Sequence, residues 1–414
     1  PFTERSENME RLQGLLGIIA ILAVIYVLSS SRKNIKWRTI GVGLVLQVVF
    51  CFLVLAWEPG FKALKGIANG LTKLTEFTNE GTQFVFGGLF GDDFVFALNV
   101  LPVIIFLGAI IAALYYLRVI QYFVEYVGSA IKWLMGTSKV ESVWATTVIF
   151  LGQSEAPLVI KPYLPKLTRS ELYTCMVGGF ASVAGSTLIG YSLLGAPLEY
   201  LLAASLMNAP GSLLVAKGLM PETEETNLDA TVKDVRDTES KNIIDAISSG
   251  AMAGGKIAIS VACLLIAFIA SIVMLSAILG GIGSLFGQDN WSLEGLFGII
   301  FAPVAWLIGT PWNEALEVGN FIGQKTILNE FVGYTAFGES VDELSDKAVL
   351  ISSFALAGFA NLSSIGIQIG SIGGLIPERR GEVAKLGPRA LFGGFLTNML
   401  NAAIVGVIVA PMVL

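Results

Sequence analysis

Long apolar stretches separated by short polar segments dominate this chain. Eight of the stretches are long enough for a helix that crosses a lipid bilayer, because a crossing takes about 20 mostly apolar residues. They cover residues 12–30, 39–57, 94–117, 170–194, 197–219, 257–281, 348–376 and 388–413. The pattern predicts an all-α integral membrane protein with eight transmembrane helices.

The segments between these stretches are of two kinds. Three have a mixed polarity that is typical of helices at the membrane interface or against the bundle, at 61–86, 118–135 and 291–309. Segment 221–243 is rich in acidic residues and poor in apolar ones, which predicts an exposed, flexible linker. Residues 1–10 are interpreted as a remnant of cloning or processing, because no initiator Met opens them.

Composition supports this class and excludes several others. Hydrophobic residues make up 54% of the 414 residues and charged residues only 14%, whereas soluble proteins have about 45–50% and about 25%. The net charge of −6 argues against a nucleic-acid partner. The chain contains no histidine, and its three cysteines are far apart, so no zinc motif, Ser-His-Asp triad or disulfide framework is indicated. We expect no cofactor and no enzymatic activity.

Three clusters of basic residues between the predicted spans indicate the orientation. They occupy 32–38, 161–169 and 379–389. Counting through eight spans puts all three on one side, and the positive-inside rule makes that side the cytoplasm. Both termini then face outward, and we expect a multi-pass protein of the inner (plasma) membrane.

Two interrupted apolar stretches, 136–165 and 309–335, contain the same short sequence motifs in the same order. Each has Gly-Thr, then a glutamate five positions after the Gly, then Gly-Gln, and each is followed by a span with Gly-Phe-Ala and a polar residue. The shared order predicts an internal duplication. Because Glu141 and Glu314 lie near the start of their stretches, we expect them to cap a helix or form an ion pair.

The polar residues in the middle of each interrupted stretch favour a re-entrant hairpin over a single crossing. Irregular backbone at membrane depth is tolerated only where it is buried in protein or lines a cavity. By the span count the two hairpins enter from opposite sides. An inverted repeat with discontinuous helices is typical of secondary transporters.

The duplication divides the chain into two repeats and two scaffold parts. The first repeat, 136–219, consists of a hairpin, a broken helix and a helix, at 136–165, 170–194 and 197–219. The second repeat, 309–414, consists of the same three parts, at 309–335, 348–376 and 388–413. The scaffold is predicted at 11–135 and at 220–308, where the acidic linker, the span 257–281 and an interfacial helix lie.

Several polar residues inside these apolar stretches are candidates for a binding site. An ionisable group at membrane depth needs a partner or a wet cavity, so Glu155 either meets a polar solute together with Gln153 and Ser154 or is merely solvated. Glu330 is open to a similar choice, because an ion pair with Lys325 would explain it equally. Asn361 and Ser364, three positions apart, either bind a solute or join helices by hydrogen bonds.

Three motifs resemble those of the concentrative nucleoside transporters. They are Gly-Gln-Ser-Glu-Ala-Pro-Leu at 152–158, Gly-Gln-Lys-Thr-Ile-Leu-Asn-Glu-Phe at 323–331, and Gly-Phe-Ala-Asn-Leu-Ser-Ser at 358–364. The second matches the G-x-K-x-x-x-N-E-F signature, and the resemblance extends along the chain from about residue 11. It implies eight spans, two opposed re-entrant hairpins and a homotrimer with a static scaffold and a moving transport domain.

The resemblance also implies a site for a nucleoside. The groups expected to meet the base are Gln153, Ser154, Glu155 and Thr187. The groups expected to hold the ribose are Glu330, Asn361 and Ser364, with Phe359 nearby. A site built to bind hydroxyl groups rejects analogues that lack them, because its own polar groups would stay unpaired.

The coupling ion is where this sequence departs from the family pattern. The resemblance implies a sodium site at positions that are here Val148, Leu151, Ser182 and Val183. Val148 has no oxygen where the family has an asparagine side chain, which weakens a sodium site. With no histidine, a proton would be carried on Glu155 or Glu330. We therefore favour H+ over Na+ as the coupling ion.

Together these features predict a secondary active transporter that imports nucleosides, such as uridine or adenosine, by symport with a cation. Elevator-type alternating access is the expected mechanism. A passive channel for small polar solutes is the alternative, since a channel also uses broken helices. Preference for purines or pyrimidines stays open, although Thr187 at a base-facing position favours pyrimidines.

Overall fold

The described residues of the computed structural model form helices and turns, with no strand among them. They comprise 2–91, 94–225, 237–288 and 290–409, with side chains described from residue 11. The first nine α-helices are α1 (Phe2–Leu28), α2 (Trp37–Cys51), α3 (Glu58–Phe86), α4 (Phe96–Asn99), α5 (Leu101–Tyr116), α6 (Val119–Met135), α7 (Lys139–Thr147), α8 (Ala156–Val159) and α9 (Arg169–Ala181). They are followed by α10 (Gly185–Leu193), α11 (Leu198–Leu219), α12 (Ile243–Ser284), α13 (Leu293–Leu307), α14 (Ala315–Ile327), α15 (Glu330–Ser340), α16 (Asp346–Leu356), α17 (Leu362–Leu375) and α18 (Arg380–Ile408).

Seven helical segments of the described residues are long and apolar enough to cross a membrane. They are Arg11–Leu28, Trp37–Ala56, Phe96–Tyr116, Arg169–Leu193, Leu198–Leu219, Ile243–Ser284 and Pro377–Ile408. The eighth predicted stretch, 348–376, is divided between α16 and α17, which have 11 and 14 residues. The all-helical class with several apolar helices is thus confirmed, and the predicted amphipathic stretches fold as α3, α6 and α13.

The most enclosed helices are those of the two predicted repeats. In each candidate span we compare an apolar stretch of 18 residues. The buried share of this stretch is 94% in Arg169–Leu193 and 83% in both Leu198–Leu219 and Pro377–Ile408. In Arg11–Leu28 and Ile243–Ser284 only 22% of the corresponding stretch is buried. Helices of the repeats therefore form the centre, and α1 and α12 present apolar side chains outward.

Helix α12 is much longer than the predicted span 257–281 and begins where the acidic segment 221–243 ends. The helix begins at Ile243 rather than near 257, and the Asn242 side chain caps its first turn by accepting from the Asp245 N–H at 2.9 Å. The Gly-rich start stays helical because it packs directly on α5, where a Cβ on Gly250 would lie 2.6 Å from the Gly108 carbonyl oxygen. Such close packing of small residues offsets their low helix propensity.

The linker prediction is wrong at Glu222, the first acidic residue of the segment. Its carboxylate accepts from the Thr168 hydroxyl at 2.8 Å and lies 3.4 Å from the Lys217 ammonium. This end of the segment is therefore docked on the bundle rather than freely solvated. Residues 226–236 of the predicted linker lie outside the described residues.

The three basic clusters lie at one end of the bundle. Arg38 donates to the Trp133 carbonyl at the end of α6, at 2.6 Å. Arg379 donates to the Leu167 carbonyl at 2.6 Å, which joins the second cluster to the third. Arg389 donates to the carbonyls of Leu28 and Leu219, at 2.7 and 3.0 Å, so the ends of α1 and α11 meet there as well.

Candidate functional site

Helices α14 and α15 lie side by side and run in opposite directions. The ring centroids of Phe321 and Phe337 are 5.9 Å apart, and a Cβ on Gly333 would lie 3.1 Å from the Lys325 Cβ. In both pairs the partners are equally far from Asn329 along the chain. The chain therefore reverses at Asn329, whose side chain caps α15 by accepting from the Val332 N–H at 3.0 Å.

The corresponding stretch of the first repeat is also interrupted. Helix α7 starts with a capping box in which Ser138 and Glu141 bond to each other's backbone N–H groups, and it ends at Thr147. The next eight residues are not helical, and α8 follows. Capping boxes satisfy two of the N–H groups that a helix start leaves unpaired.

The repeated glutamates have the structural roles that their positions suggested. Glu141, besides its capping role, forms a buried ion pair with Lys217 of α11. Glu314 accepts from the backbone N–H and the hydroxyl of Ser345, both at 2.6 Å. Each glutamate thus ties the start of its interrupted stretch to a neighbouring segment.

The two broken helices touch each other at their breaks. The first break separates α9 from α10, and the second separates α16 from α17. Across them, the Phe359 N–H donates to the Ser182 carbonyl at 3.1 Å. The irregular backbone of each repeat is therefore satisfied in part by the other repeat, deep in the protein.

Asn398 of α18 binds the carbonyl groups that the breaks leave unpaired. Its amide donates to the Ala181 carbonyl at 3.0 Å and to the Ala357 carbonyl at 2.9 Å, at the ends of α9 and α16. Asn208 of α11 donates to the same Ala357 carbonyl at 3.2 Å. Both asparagines are buried, so they supply the partners that water cannot give.

Lys325 belongs to this carbonyl-binding cluster rather than to an ion pair with Glu330. Its buried ammonium donates to the Asn398 side-chain oxygen at 2.7 Å and to the Ala355 carbonyl at 2.9 Å. A cation next to the C-terminal carbonyls of a helix is favoured by the helix dipole. The structure therefore does not support the alternative in which Glu330 forms an ion pair with Lys325.

Glu330 is held by two neutral donors from the two broken helices. The Tyr191 hydroxyl of α10 donates to Oε1 at 3.1 Å, and the Asn361 amide donates to Oε2 at 2.8 Å. The side chain is only 6% exposed, and it lies in the first turn of α15, where the positive end of the helix dipole favours an anion. The carboxylate is thus buried, and its two oxygens accept hydrogen bonds from two other elements, α10 and the start of α17.

Asn361 and Ser364 form one turn at the start of α17. The Asn361 side-chain oxygen accepts from the Ser364 N–H at 2.9 Å and from the Ser363 hydroxyl at 2.7 Å. Gln153 of the first interrupted stretch donates to the Ser364 hydroxyl at 2.9 Å. A continuous polar chain therefore connects Gln153 to Glu330 through the second broken helix.

The amide of Gln153 is positioned by α17. Gln368 donates to its side-chain oxygen at 3.1 Å, and the Ser371 hydroxyl donates to its carbonyl at 3.2 Å. Gly179 allows the approach, since a Cβ there would lie 2.7 Å from the Gln368 amide nitrogen. Fixing the side chain by such contacts pre-organises its hydrogen-bonding edge.

The other residues predicted to face the base lie outside the polar chain that connects Gln153 to Glu330. The Thr187 hydroxyl is buried and donates to the Ala184 carbonyl at 2.9 Å. Ser154 is exposed, and Glu155 is half-buried at the edge of a cavity of about 600 Å³. Phe359 is half-buried beside the break. The structure thus brings Gln153 together with Glu330, Asn361 and Ser364, and it places Glu155 apart from them, in the lining of a cavity.

The positions of the predicted weakened sodium site lie together against the first break. All four are buried, namely Val148, Leu151, Ser182 and Val183. The Gly185 N–H donates to the Phe150 carbonyl at 3.0 Å, which holds the interrupted stretch on the break. The Ser182 hydroxyl donates to the Gly179 carbonyl at 3.0 Å, and Val148 contributes only methyl groups.

Sequence reasoning missed three residues that complete the site. Tyr191 lies four residues after Thr187, on the same helical face, which was a usable signal. Gln368 lies one turn after Ser364, and it carries the same signal. Asn398 stands inside an apolar helix, where a polar side chain marks a buried contact, yet nothing in the sequence says which helix it meets.

The fold and this buried polar site define a polytopic membrane transporter. Three family models match the chain in succession: "Na+ dependent nucleoside transporter N-terminus" over 16–89, "Nucleoside recognition" over 97–198, and "Na+ dependent nucleoside transporter C-terminus" over 200–406. The chain belongs to the concentrative nucleoside transporter family, as its motifs predicted. Members of this family are transporters and not enzymes.

Relatives and solved structures agree with this family. The chain is 39% identical over 397 residues to the nucleoside permease NupC of Helicobacter pylori, covering 93% of this chain and 94% of that protein. It is 49% identical over 390 residues to the uncharacterized transporter YutK of Bacillus subtilis, covering 93% and 96%. A structure of CNTnw in an inward-facing substrate-bound state matches with a TM-score of 0.92 at 43% identity, covering 96% and 97% of the two chains.

Proposed function

We propose that this protein imports nucleosides by symport with a proton, using elevator-type alternating access. The observation that carries the proposal is the buried polar chain from Gln153 to Glu330. It lies where two broken helices meet, and it offers amide, hydroxyl and carboxylate groups within a few ångströms of one another. A nucleoside has a base edge and ribose hydroxyls that such a set of groups can bind.

The proposal assigns the two ends of the polar chain to the two ends of the nucleoside. Gln153, at one end, would face the base, and Ser154, Glu155 and Thr187, which lie outside the polar chain, are proposed to face the base as well. Glu330, Asn361 and Ser364 would accept from or donate to the ribose hydroxyls, with Phe359 beside the ring. The bond between Gln153 and Ser364 keeps these groups paired with each other, and a bound nucleoside would exchange it for two new ones.

The polar contacts also support a division into a moving and a static part. The two repeats are tied together by Asn398, by the contact between the breaks and by Gln153, so they would move as one transport domain. We propose that 11–135 and 220–308 form the scaffold, that 136–165 and 309–335 are opposed re-entrant hairpins in an eight-span topology, and that three copies assemble. The basic clusters at one end of the bundle favour that end as the cytoplasmic one of the plasma membrane.

We propose a proton because a sodium site in this chain would lack one of its oxygen ligands. Sodium requires several oxygen ligands, whereas Val148 is apolar and buried and the Ser182 hydroxyl is already bonded to Gly179. A proton needs only a carboxylate, and two are available: Glu330 in the buried polar cluster and Glu155 at the separate cavity. The family model carries the word sodium in its description, so the ion must be tested directly.

Uptake of labelled uridine into proteoliposomes, with sodium and pH gradients imposed separately, tests the proposed function. We expect accumulation in sodium-free buffer when the outside is acidic, and its loss when a protonophore collapses the gradient. A sodium gradient alone should add less than about twofold. Accumulation that depends wholly on sodium would contradict proton coupling but not nucleoside transport, whereas no uridine uptake under either gradient would contradict both.

A further inference from the structure

The cavity beside Glu155 has a charge pattern that the binding of a neutral nucleoside does not explain. We propose that it is the cytoplasmic vestibule of the nucleoside site and that its acidic lining repels phosphorylated nucleosides. The proposal rests on the proposed function and deepens it, because it names a class of solute that shares the base and ribose but is kept away from the site.

The inner part of the cavity carries polar groups that point to a ligand. The cavity of about 600 Å³ lies between the first interrupted stretch, α10, α5 and the start of α12. Among the described residues, the Ser186 hydroxyl has no hydrogen-bond partner although Ser186 is only 3% exposed. Glu155 lines the same space. A buried hydroxyl without a partner is costly, and a polar solute or water in this cavity would pair it.

The outer part of the cavity is strongly acidic. Its lining includes the carboxylates Asp237, Glu239 and Asp245 in addition to Glu155, and among the described residues that line it Lys161 is the one basic residue. Glu239 is exposed, while Asp237 and Asp245 are half-buried. The carboxylates thus outnumber the ammonium by three, and clefts lined by one sign of charge focus its potential.

Two of these carboxylates are held in place by hydrogen bonds from the backbone. Asp237 accepts from the backbone N–H groups of Glu239 and Ser240, at 2.9 and 3.0 Å, and Asp245 accepts from the Lys241 N–H at 2.8 Å. Burial acts to raise the pKa of Asp237, but the hydrogen bonds from Ser240 and Glu239 hold this pKa below its ordinary value of 3.8. The negative charge of Asp237 is therefore present at neutral pH.

The cavity opens at the end of the bundle that the basic clusters mark as cytoplasmic. Lys161 belongs to the second cluster, and residues 237–253 form the start of α12 and the turn before it. Nucleotides are abundant in a cytoplasm, and a single phosphate monoester already adds about −1.5 to −2 charges at pH 7. An acidic vestibule would exclude these anions and leave neutral nucleosides unaffected.

The local potential can be measured with a cysteine in the cavity. Ser249 lines it and is exposed, so Ser249→Cys in a Cys263→Ser background, where Cys51 and Cys175 are buried, gives one reactive thiol. Methanethiosulfonate reagents that carry either a trimethylammonium or a sulfonate group are compared, with rates normalised to a small free thiol. We expect the cation to react roughly tenfold faster than the anion at low salt, and less so at high salt.

Neutralising the lining provides the decisive comparison. Asp237→Asn, Glu239→Gln and Asp245→Asn together should bring the rate ratio close to one, whereas Glu224→Gln with Glu225→Gln, outside the cavity, should leave it unchanged. Glu239→Gln alone should lower the ratio part of the way, and it serves if the triple variant does not fold. Equal rates for both reagents before neutralisation, or a ratio that the acidic residues do not influence, would overturn the proposal.

Protection by ligands tests the vestibule itself. Uridine should slow modification of Ser249→Cys in both backgrounds, and uridine monophosphate should slow it only after the three acidic residues are neutralised. Protection by the monophosphate with the acidic residues in place would overturn the exclusion. Protection by neither ligand, in a protein that still transports uridine, would overturn the vestibule and leave the proposed function standing.

Discussion

Replacing Glu330 with glutamine is expected to lower nucleoside uptake by roughly ten- to a hundredfold while the protein stays folded. The carboxylate accepts from Tyr191 and Asn361, and glutamine keeps one acceptor but turns an amide donor toward another donor. A buried unpaired polar group costs about 1–3 kcal/mol, and this cost falls on the ribose-binding groups. Uptake of labelled uridine into proteoliposomes measures the effect.

Glu339 supplies a matched control on the same helix. Its side chain is exposed near the end of α15, so Glu339→Gln removes an equal charge without touching the buried cluster. We expect uptake within about twofold of the unaltered protein, as for most surface changes. Normal uridine uptake by Glu330→Gln would contradict the assignment of Glu330 to the ribose.

Replacing Gly358 with alanine is expected to cause the largest loss of stability of any single methyl group added at the site. A Cβ there would lie 2.2 Å from the Asn398 side-chain oxygen and 2.7 Å from the Ala181 carbonyl oxygen. Asn398 cannot move aside without releasing the carbonyls at both breaks and the Lys325 ammonium. Overpacking of this kind costs about 1–3 kcal/mol or more, and both thermal stability in detergent and uridine uptake should fall.

Gly366 is the matched control, eight residues further along the chain. It lies in α17, and nothing is within 4 Å of the position its Cβ would take. Gly366→Ala should therefore be neutral or stabilise the protein by about 0.5–1 kcal/mol, since alanine is the better helix former. Equal stability of the two variants would show that the breaks are not held together by Asn398.

The sequence predicted the parts of the fold that depend on local pattern. The apolar stretches predicted the long helices. The polar motifs at 152–155 and 358–364 predicted interruptions of the helical backbone within apolar stretches. Asn361 and Ser364 could be placed on one turn because their spacing is helical. These inferences use residues within one or two turns of each other, which periodicity reports directly.

The other features of the fold and of the site depend on contacts between distant parts of the chain, which the sequence pattern does not report. The predicted span began at 257, whereas α12 already begins at Ile243, and its Gly-rich start packs closely on Gly108 of α5. Lys325 has an acidic neighbour in sequence, Glu330, but its hydrogen bonds go to Asn398, 73 residues away. A single sequence gives the types of such buried polar residues but not their partners.

The central claim is that one nucleoside is enclosed between the two repeats and carried across the membrane with them. Counterflow measures this most directly, in proteoliposomes preloaded with unlabelled uridine and diluted into a trace of labelled uridine without any ion gradient. We expect labelled uridine to accumulate transiently above its external concentration, because a carrier exchanges substrate through an occluded state. Simple equilibration without this overshoot, as in an open channel, would contradict the account.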